Sequence, residues 1–269
     1  MSAKTHPLTT PVAFLGGAFL SSAVVAGGMG LLSLRVARGL LPARGGRAPL
    51  DGRELAKNLY KMAWKSLPIV IVTALFTGAI MVIQAAPIVA RLGATGLLGW
   101  AAGFGTLREI APLLTALMIS GRVGANNAAE LGTMVVTEQL DALRVLAIDP
   151  IAFLILPRFL AIIATLLMMT LFADLLALFG AAYSGQILMG VSPLTFYHGV
   201  TSSLLGFGDV ALGLFKSVLF GFVIALASCY FGLATTGGAP GVGRQVNATV
   251  VASALGVFFL DYVAGFLFG

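Results

Sequence analysis

Arg108 and Glu109 stand side by side in an otherwise apolar run, two side chains able to bind or move charge. A charged side chain near a bilayer centre costs at least about 2.5 kcal/mol on insertion scales, so such a pair marks a functional site unless the two only neutralise each other or anchor a helix near an interface. Gln84, Asp174 and Asp261 lie in other apolar runs. Gln84 has an ordinary use as an interhelical hydrogen bonder, worth about 0.6 kcal/mol. Glu109, Asp174 and Asp261 together would suit a proton relay, which is the signature of a proton-coupled secondary carrier.

A second group of polar residues follows a Gly/Ala/Asn-rich joint. On a helical wheel Glu130, Met134, Thr137, Glu138, Asp141 and Arg144 fall within an arc of roughly 120°, while Leu131, Val135, Val136, Leu140, Leu143 and Leu146 take the other side. A helix so built rests on a membrane surface or offers its acidic face to a partner. Anionic lipid repels that face, so it looks to the cytosol and favours docking.

Enzymatic patterns are absent. No lysine follows a glycine, so there is no GxxxxGK[ST] phosphate loop and any ATP is hydrolysed by another subunit. The glycines around Gly241 lack the strand context of a dinucleotide fingerprint. His6 and His198 are far apart, without HExxH or a Cys/His cluster, and Cys229 is the sole thiol, so neither metal nor disulfide nor cofactor is expected.

The elements that hold these residues are membrane helices. Of 269 residues 59% are hydrophobic and 10% charged, and mean hydropathy is +1.02, where soluble domains carry about 25% charge. The pattern predicts an all-α polytopic membrane protein with spans at about Leu67–Ala90, Gly96–Arg122, Ile151–Ala182, Val210–Thr235 and Val246–Phe268. Arg108 and Glu109 then lie roughly halfway along the second span. Pro68 and Pro87 suit helix ends, Pro112 a bend, and Ser192-Pro193 the start of a short outer helix. Before the first span, Pro11–Leu34 is apolar and rich in small residues, 35–51 is a connector, and Gly52–Lys65 reads as a basic amphipathic helix. The expected division is therefore residues 1–65, an N-terminal membrane-embedded and interfacial part, and residues 66–269, the five-span part.

Charge sets the orientation. Arg35, Arg38, Arg44, Arg47, Arg53, Lys57, Lys61 and Lys65 face only Asp51 and Glu54 in the N-terminal patch, and Arg122, Arg144, Arg158 and Arg244 flank later loops on the same side. The positive-inside rule puts these in the cytosol, with Arg91 outside and Lys216 near an edge.

The run Arg108-Glu109-x-x-Pro112-x-x-Thr115-Ala116, Gly121-Arg122-x-Gly124, Ala129-Glu130-Leu131-Gly132-x-Met134, Thr137-Glu138-Gln139-x-Asp141-Ala142-Leu143 and Asp149-Pro150 resembles the MlaE family, permease subunits of ABC transporters that work with MCE proteins on lipids. Gly237-Gly238-Ala239-x-Gly241-Val242-Gly243-Arg244, Val250-Val251-x-Ser253 and Asp261 agree, and the likeness runs from about Leu55 onward. The resemblance implies a bacterial inner-membrane homodimer with an N-terminal elbow helix, two cytosolic ATPases, a hexameric periplasmic MCE protein, in some systems a STAS-domain protein, and phospholipid as cargo. It assigns Glu130 to Arg144 as a coupling helix, with Glu138, Gln139 and Asp141 most exposed, and Arg108, Glu109 and Gln84 as lining of a lipid cavity at the dimer interface, where Glu109 would hold the arginine ready for a phosphate.

Overall fold

A computed structural model describes residues 9–40, 52–202 and 204–268. The connector residues Arg44, Arg47 and Asp51 and the first eight residues of the chain, His6 among them, lie outside the described residues. Eight helices account for nearly all of the rest, and no strand occurs among the described residues. They are α1 (Thr9–Leu40), α2 (Gly52–Arg91), α3 (Thr95–Val136), α4 (Gln139–Val145), α5 (Ile151–Met189), α6 (Pro193–Val200), α7 (Phe207–Leu233) and α8 (Gly238–Phe268). Five of them, α2, α3, α5, α7 and α8, are long and apolar enough to cross a membrane. The all-α, five-span architecture is the expected one.

The helices overrun the expected bounds. At 1.5 Å per residue α2 is about 60 Å long, twice a bilayer's hydrocarbon core, so the basic segment from Gly52 to Lys65 is the inner extension of the first span. The expected boundary at residues 65/66 thus falls inside one helix, and Pro68 and Pro87 both lie within it. The apolar run after Pro68 and the close partner α5 keep it helical through both prolines. Between α7 and α8 only residues 234–237 are non-helical, and Gly237 and Gly238 there take φ angles of 81° and 68° that only glycine adopts freely; the expected start of the fifth span at Val246 thus falls inside α8, which begins at Gly238.

Helix α3 is one rod with two π turns, Thr106–Ile110 and Ser120–Gly124, and α5 opens with a third, Ile151–Ile155. Two of the three precede a proline, Pro112 or Pro157, by two residues. Proline lacks an N–H and its ring presses on the carbonyl four residues back, and the extra residue of a π turn takes up that conflict without ending the helix.

The core is the α2–α5 pair, with α7 packed on α5 and α3, and α8 laid against α7 and α3. Small residues bring α2 and α5 together: a Cβ on Gly78 would fall on the Ala177 carbonyl oxygen and one on Gly180 on that of Leu75. Lipid supplies no hydrophobic drive between helices, so this close approach is what holds them. At the end expected from the charge bias to face outward, α6 is capped by Ser192, whose Oγ accepts from the Thr195 N–H at 3.2 Å, and Trp100 donates to the Leu204 carbonyl at 3.2 Å. Inside, the last turns of α1 bury Leu32 and Val36 against α7 and the start of α5, while Leu20, Val24, Leu31 and Leu34 stay exposed.

Candidate transport site and cytosolic docking surface

The outer halves of α3, α7 and α8 bring five charges together. Arg108 donates from Nη1 to Asp209 Oδ1 at 3.0 Å and from Nη2 to the Phe268 carbonyl at 2.8 Å, and its guanidinium lies 5.2 Å from the centroid of the Phe104 ring. Lys216, wholly buried, donates to Glu109 Oε2 and to Asp261 Oδ1, the latter at 3.0 Å. Glu109 and Arg108 are also an ion pair, but a long one of 3.8 Å. Burying charges requires partners, and each of the five has one.

Backbone placement explains the meeting. A Cβ on Gly213 would fall on the Leu107 carbonyl oxygen, so α7 approaches α3 closely just where Arg108 and Glu109 point at it. Asp209 closes the first turn of α7 by accepting from the Gly206 N–H at 3.0 Å, and the positive end of that helix favours its carboxylate. Lys216 lies about 14 Å, and Asp261 about 10 Å, from the outer ends of their helices at 1.5 Å per residue. Arg108 is therefore level with the outer ends of α7 and α8. The expectation of a mid-membrane Arg-Glu pair is corrected for Arg108, because the first turns of α3 rise beyond its neighbours to meet α6.

Two residues of this network escaped sequence reasoning. Asp209 falls one residue before the span expected from Val210, and an acid three residues after Gly206 at a helix start was the signal for it. Lys216, expected near an edge, is inside; the signal was a single lysine in a long apolar run in a chain whose intramembrane Asp261 has no cation near it in sequence. The Glu109–Asp174–Asp261 relay does not form: Glu109 and Asp261 meet on Lys216, and Asp174 Oδ1 is buried without a hydrogen bond. Gln84 joins neither group; it is exposed on α2 beside Ile80, Ile83 and Ile88.

Between the outer ends of α7 and α8 runs a groove of about 520 Å³, lined by Arg108 and Asp209 on one side and by Ala211, Leu212, Phe215 and Phe268 on the other. Such a groove offers a cation to a polar group and apolar surface to a chain.

At the inner side the expected helix from Glu130 to Arg144 is not continuous. α3 ends at Val136, Glu138 takes a left-handed conformation with φ 58°, and α4 starts at Gln139. Glu130 belongs to α3 and turns inward, accepting from Lys61, from Asn126 at 2.8 Å and from Arg158 at 3.2 Å. Its exposed position on the wheel is thereby corrected: the break after Val136 changes the phase of everything downstream. Glu138, Gln139, Asp141 and Arg144 are all exposed, with Asp141 and Arg144 paired at 2.7 Å, and Leu140 pins α4 to the bundle. Asp149 accepts from the Ile151 N–H at 3.0 Å and closes the connection into α5.

The family model "Permease MlaE" matches residues 55–267. A probable ABC transporter permease protein of Synechocystis is 38% identical over 218 residues, covering 81% of this chain and 82% of the relative. One from Rickettsia felis is 37% identical over 226 residues, 82% of this chain and 85% of the relative. The chloroplast protein TRIGALACTOSYLDIACYLGLYCEROL 1 of Arabidopsis thaliana is 34% identical over 237 residues, 88% of this chain and 67% of the relative. An ABC permease leaves its chemistry to an ATPase, which displaces the proton-coupled carrier as a reading of these acids. A five-span helical bundle carrying the charged motif on α3 and the acidic segment at its inner end, matched along four fifths of its length, belongs to the MlaE family of ABC transporter permeases.

Proposed function

We propose that this chain is the permease of an ABC transporter that moves phospholipid between a bacterial inner membrane and an MCE protein, as part of outer-membrane lipid homeostasis. The observation that carries the reading is the outer groove, where the Arg108 guanidinium shares one cleft with Phe215, Leu212 and Phe268. A phospholipid presents the complement, a phosphate for the arginine and an acyl chain for the apolar wall. Asp209 and the Phe268 carbonyl hold the guanidinium until a phosphate replaces them, a role for which Asp209 is better placed than Glu109. Glu109, Lys216 and Asp261 fix α3, α7 and α8 beneath it.

Gln84 supports a homodimer. It makes no hydrogen bond among the described residues and stands on an apolar outer face, where lipid leaves its amide unsatisfied at a cost of a few kcal/mol. A second copy packed on that face of α2 covers it and closes a lipid cavity between the two. The exposed Glu138, Gln139, Asp141 and Arg144 then dock on a cytosolic ATPase, and a hexameric MCE protein, with a STAS-domain protein in some systems, completes the assembly. When ATP draws the ATPases together, α4 transmits the movement and the cavity collapses, a two-state change driven by the partner.

The test is lipid transfer by the reconstituted complex. Arg108→Gln leaves a polar, hydrogen-bonding side chain but removes the charge and the guanidinium fork, so transfer of phospholipid to the MCE protein is expected to fall on the order of tenfold while ATPase association persists. Wild-type transfer by this variant would overturn the assignment of Arg108.

A further inference from the structure

Two polar stripes face each other near the inner end of the bundle. On α2, Asn58, Lys61 and Lys65 recur every three or four residues, and on α3, Arg122, Asn126 and Glu130 recur every four, so each trio shares one helical face. Between them is a cavity of about 300 Å³, into which Met62, Ser66, Val123 and Asn127 also look.

Its charges do not balance. Glu130 is the one carboxylate in the wall, and both its oxygens are already engaged, Oε1 by Lys61 and Asn126 and Oε2 by Arg158. Lys65 and Arg122 line the same cavity and have no hydrogen bond or ion pair among the described residues. Behind Glu130, Arg158 is only 5% exposed and its Nε is buried without a partner. The wall therefore holds a positive excess that no carboxylate among the described residues neutralises, and an anion supplies what is missing.

The depth of the cavity says where that anion comes from. Tyr60 and Trp64, on the same turns as Lys61 and Lys65, are exposed and stacked, with ring centroids 6.2 Å apart and an interplanar angle of 10°. Exposed tyrosine and tryptophan at the end of a span occupy the head-group layer, and the apolar run resumes two residues beyond Lys65.

We propose that this cavity binds a phosphate group at the level of the cytosolic leaflet's head groups, between Lys65 and Arg122. The arginine fork matches two phosphate oxygens and the lysine adds a point charge. The π turn at Ser120–Gly124 sets Arg122 in line with Asn126 and Glu130, and the Glu130 ion pairs with Lys61 and Arg158 tie the site to α2 and α5. A bound phosphate thus bridges α2 and α3, which Glu130 and Arg158 tie to α5, at the end of the molecule opposite the outer groove. The site does not depend on what the transporter carries. Its phosphate belongs to an anionic lipid or to a free cytosolic anion, which share this chemistry.

The full chain in neutral detergent tests it, titrated with short-chain phosphatidylglycerol or with inorganic phosphate and followed by native mass spectrometry. Lys65→Gln with Arg122→Gln alters two exposed side chains without internal bonds, so the fold is retained, as gel filtration and circular dichroism will confirm. Affinity of the wild type is expected to exceed that of the double variant by on the order of tenfold, and to fall with salt. Competition of inorganic phosphate with the lipid identifies a free-anion site, and retention of the lipid against excess phosphate identifies a lipid site; either supports the proposal. Equal binding by wild type and double variant, or no binding of either probe, overturns it. So does loss of binding in Arg108→Gln alone, which would place the lipid in the outer groove.

Discussion

Lys216 shows how much a single residue holds in a bundle of this kind. Its ammonium is wholly buried and shared by Glu109 and Asp261, so removing it leaves two carboxylates facing each other without their shared cation. Breaking a buried pair by deleting one partner costs roughly 3–5 kcal/mol, and the lower end applies here because the Glu109 side chain is 36% exposed. Lys216→Met is therefore expected to lower the detergent melting temperature sharply, whereas the triple change Lys216→Met, Glu109→Gln and Asp261→Asn, which removes all three charges together, recovers most of it. A triple variant no more stable than Lys216→Met would show that packing of the lysine stem, not charge, is what matters. Arg108 contrasts with this cluster. Its partners are the acid of the first turn of α7 and a helix-end carbonyl, both lining the open groove where a ligand phosphate can replace them, so its loss is expected to be felt in transfer more than in stability.

At the scale of elements the fold rests on α2 against α5, and that contact rests on glycine. Gly78→Leu puts a side chain where the Ala177 carbonyl lies, and overpacking of this kind costs about 1–3 kcal/mol or more when backbone must move. The expected outcome is a chain that inserts but migrates as a broad, aggregated peak in gel filtration; a monodisperse peak with wild-type melting would refute the close approach. The five spans themselves were legible in composition and hydropathy, because lipid requires long apolar helices and the charge bias orients them. Helix lengths were not. Nothing in the run from Gly52 to Arg91 breaks the helix where water ends, and the two prolines looked like ends because their accommodation depends on what packs beside them. The break at Glu138 was equally hidden: a left-handed glutamate carries no local sign, and one residue out of helical phase was enough to send Glu130 inward while leaving Gln139, Asp141 and Arg144 outside. The charged motif was readable as a site, but its partners Asp209 and Lys216 come from a helix about 100 residues later, and pairing across such a distance is decided by tertiary packing.

The molecule as a whole carries its polar chemistry at two ends joined by α3. Arg108 and Glu109 lie in its outer half, Arg122 and Glu130 in its inner half, and the exposed segment from Glu138 to Arg144 hangs directly from its last turn. A push on α4 is therefore delivered to the rod that carries the outer network, since Leu140 fixes α4 to the bundle and Asp149 closes the path into α5. This geometry predicts a separation between folding and coupling. Glu138→Lys with Asp141→Lys reverses two exposed charges; surface substitutions of this kind change stability within about 0.5 kcal/mol, and the lost Asp141–Arg144 pair is a surface pair of the weak class. The variant is thus expected to insert, purify and melt as the wild type does, and to bind lipid in the outer groove, yet to lose its ATPase on copurification and to support no ATP-driven transfer. Unchanged ATPase association together with unchanged transfer would refute docking through α4, and an ATPase that stays bound while transfer stops would move the essential contact from recognition to the transmission of movement along α3.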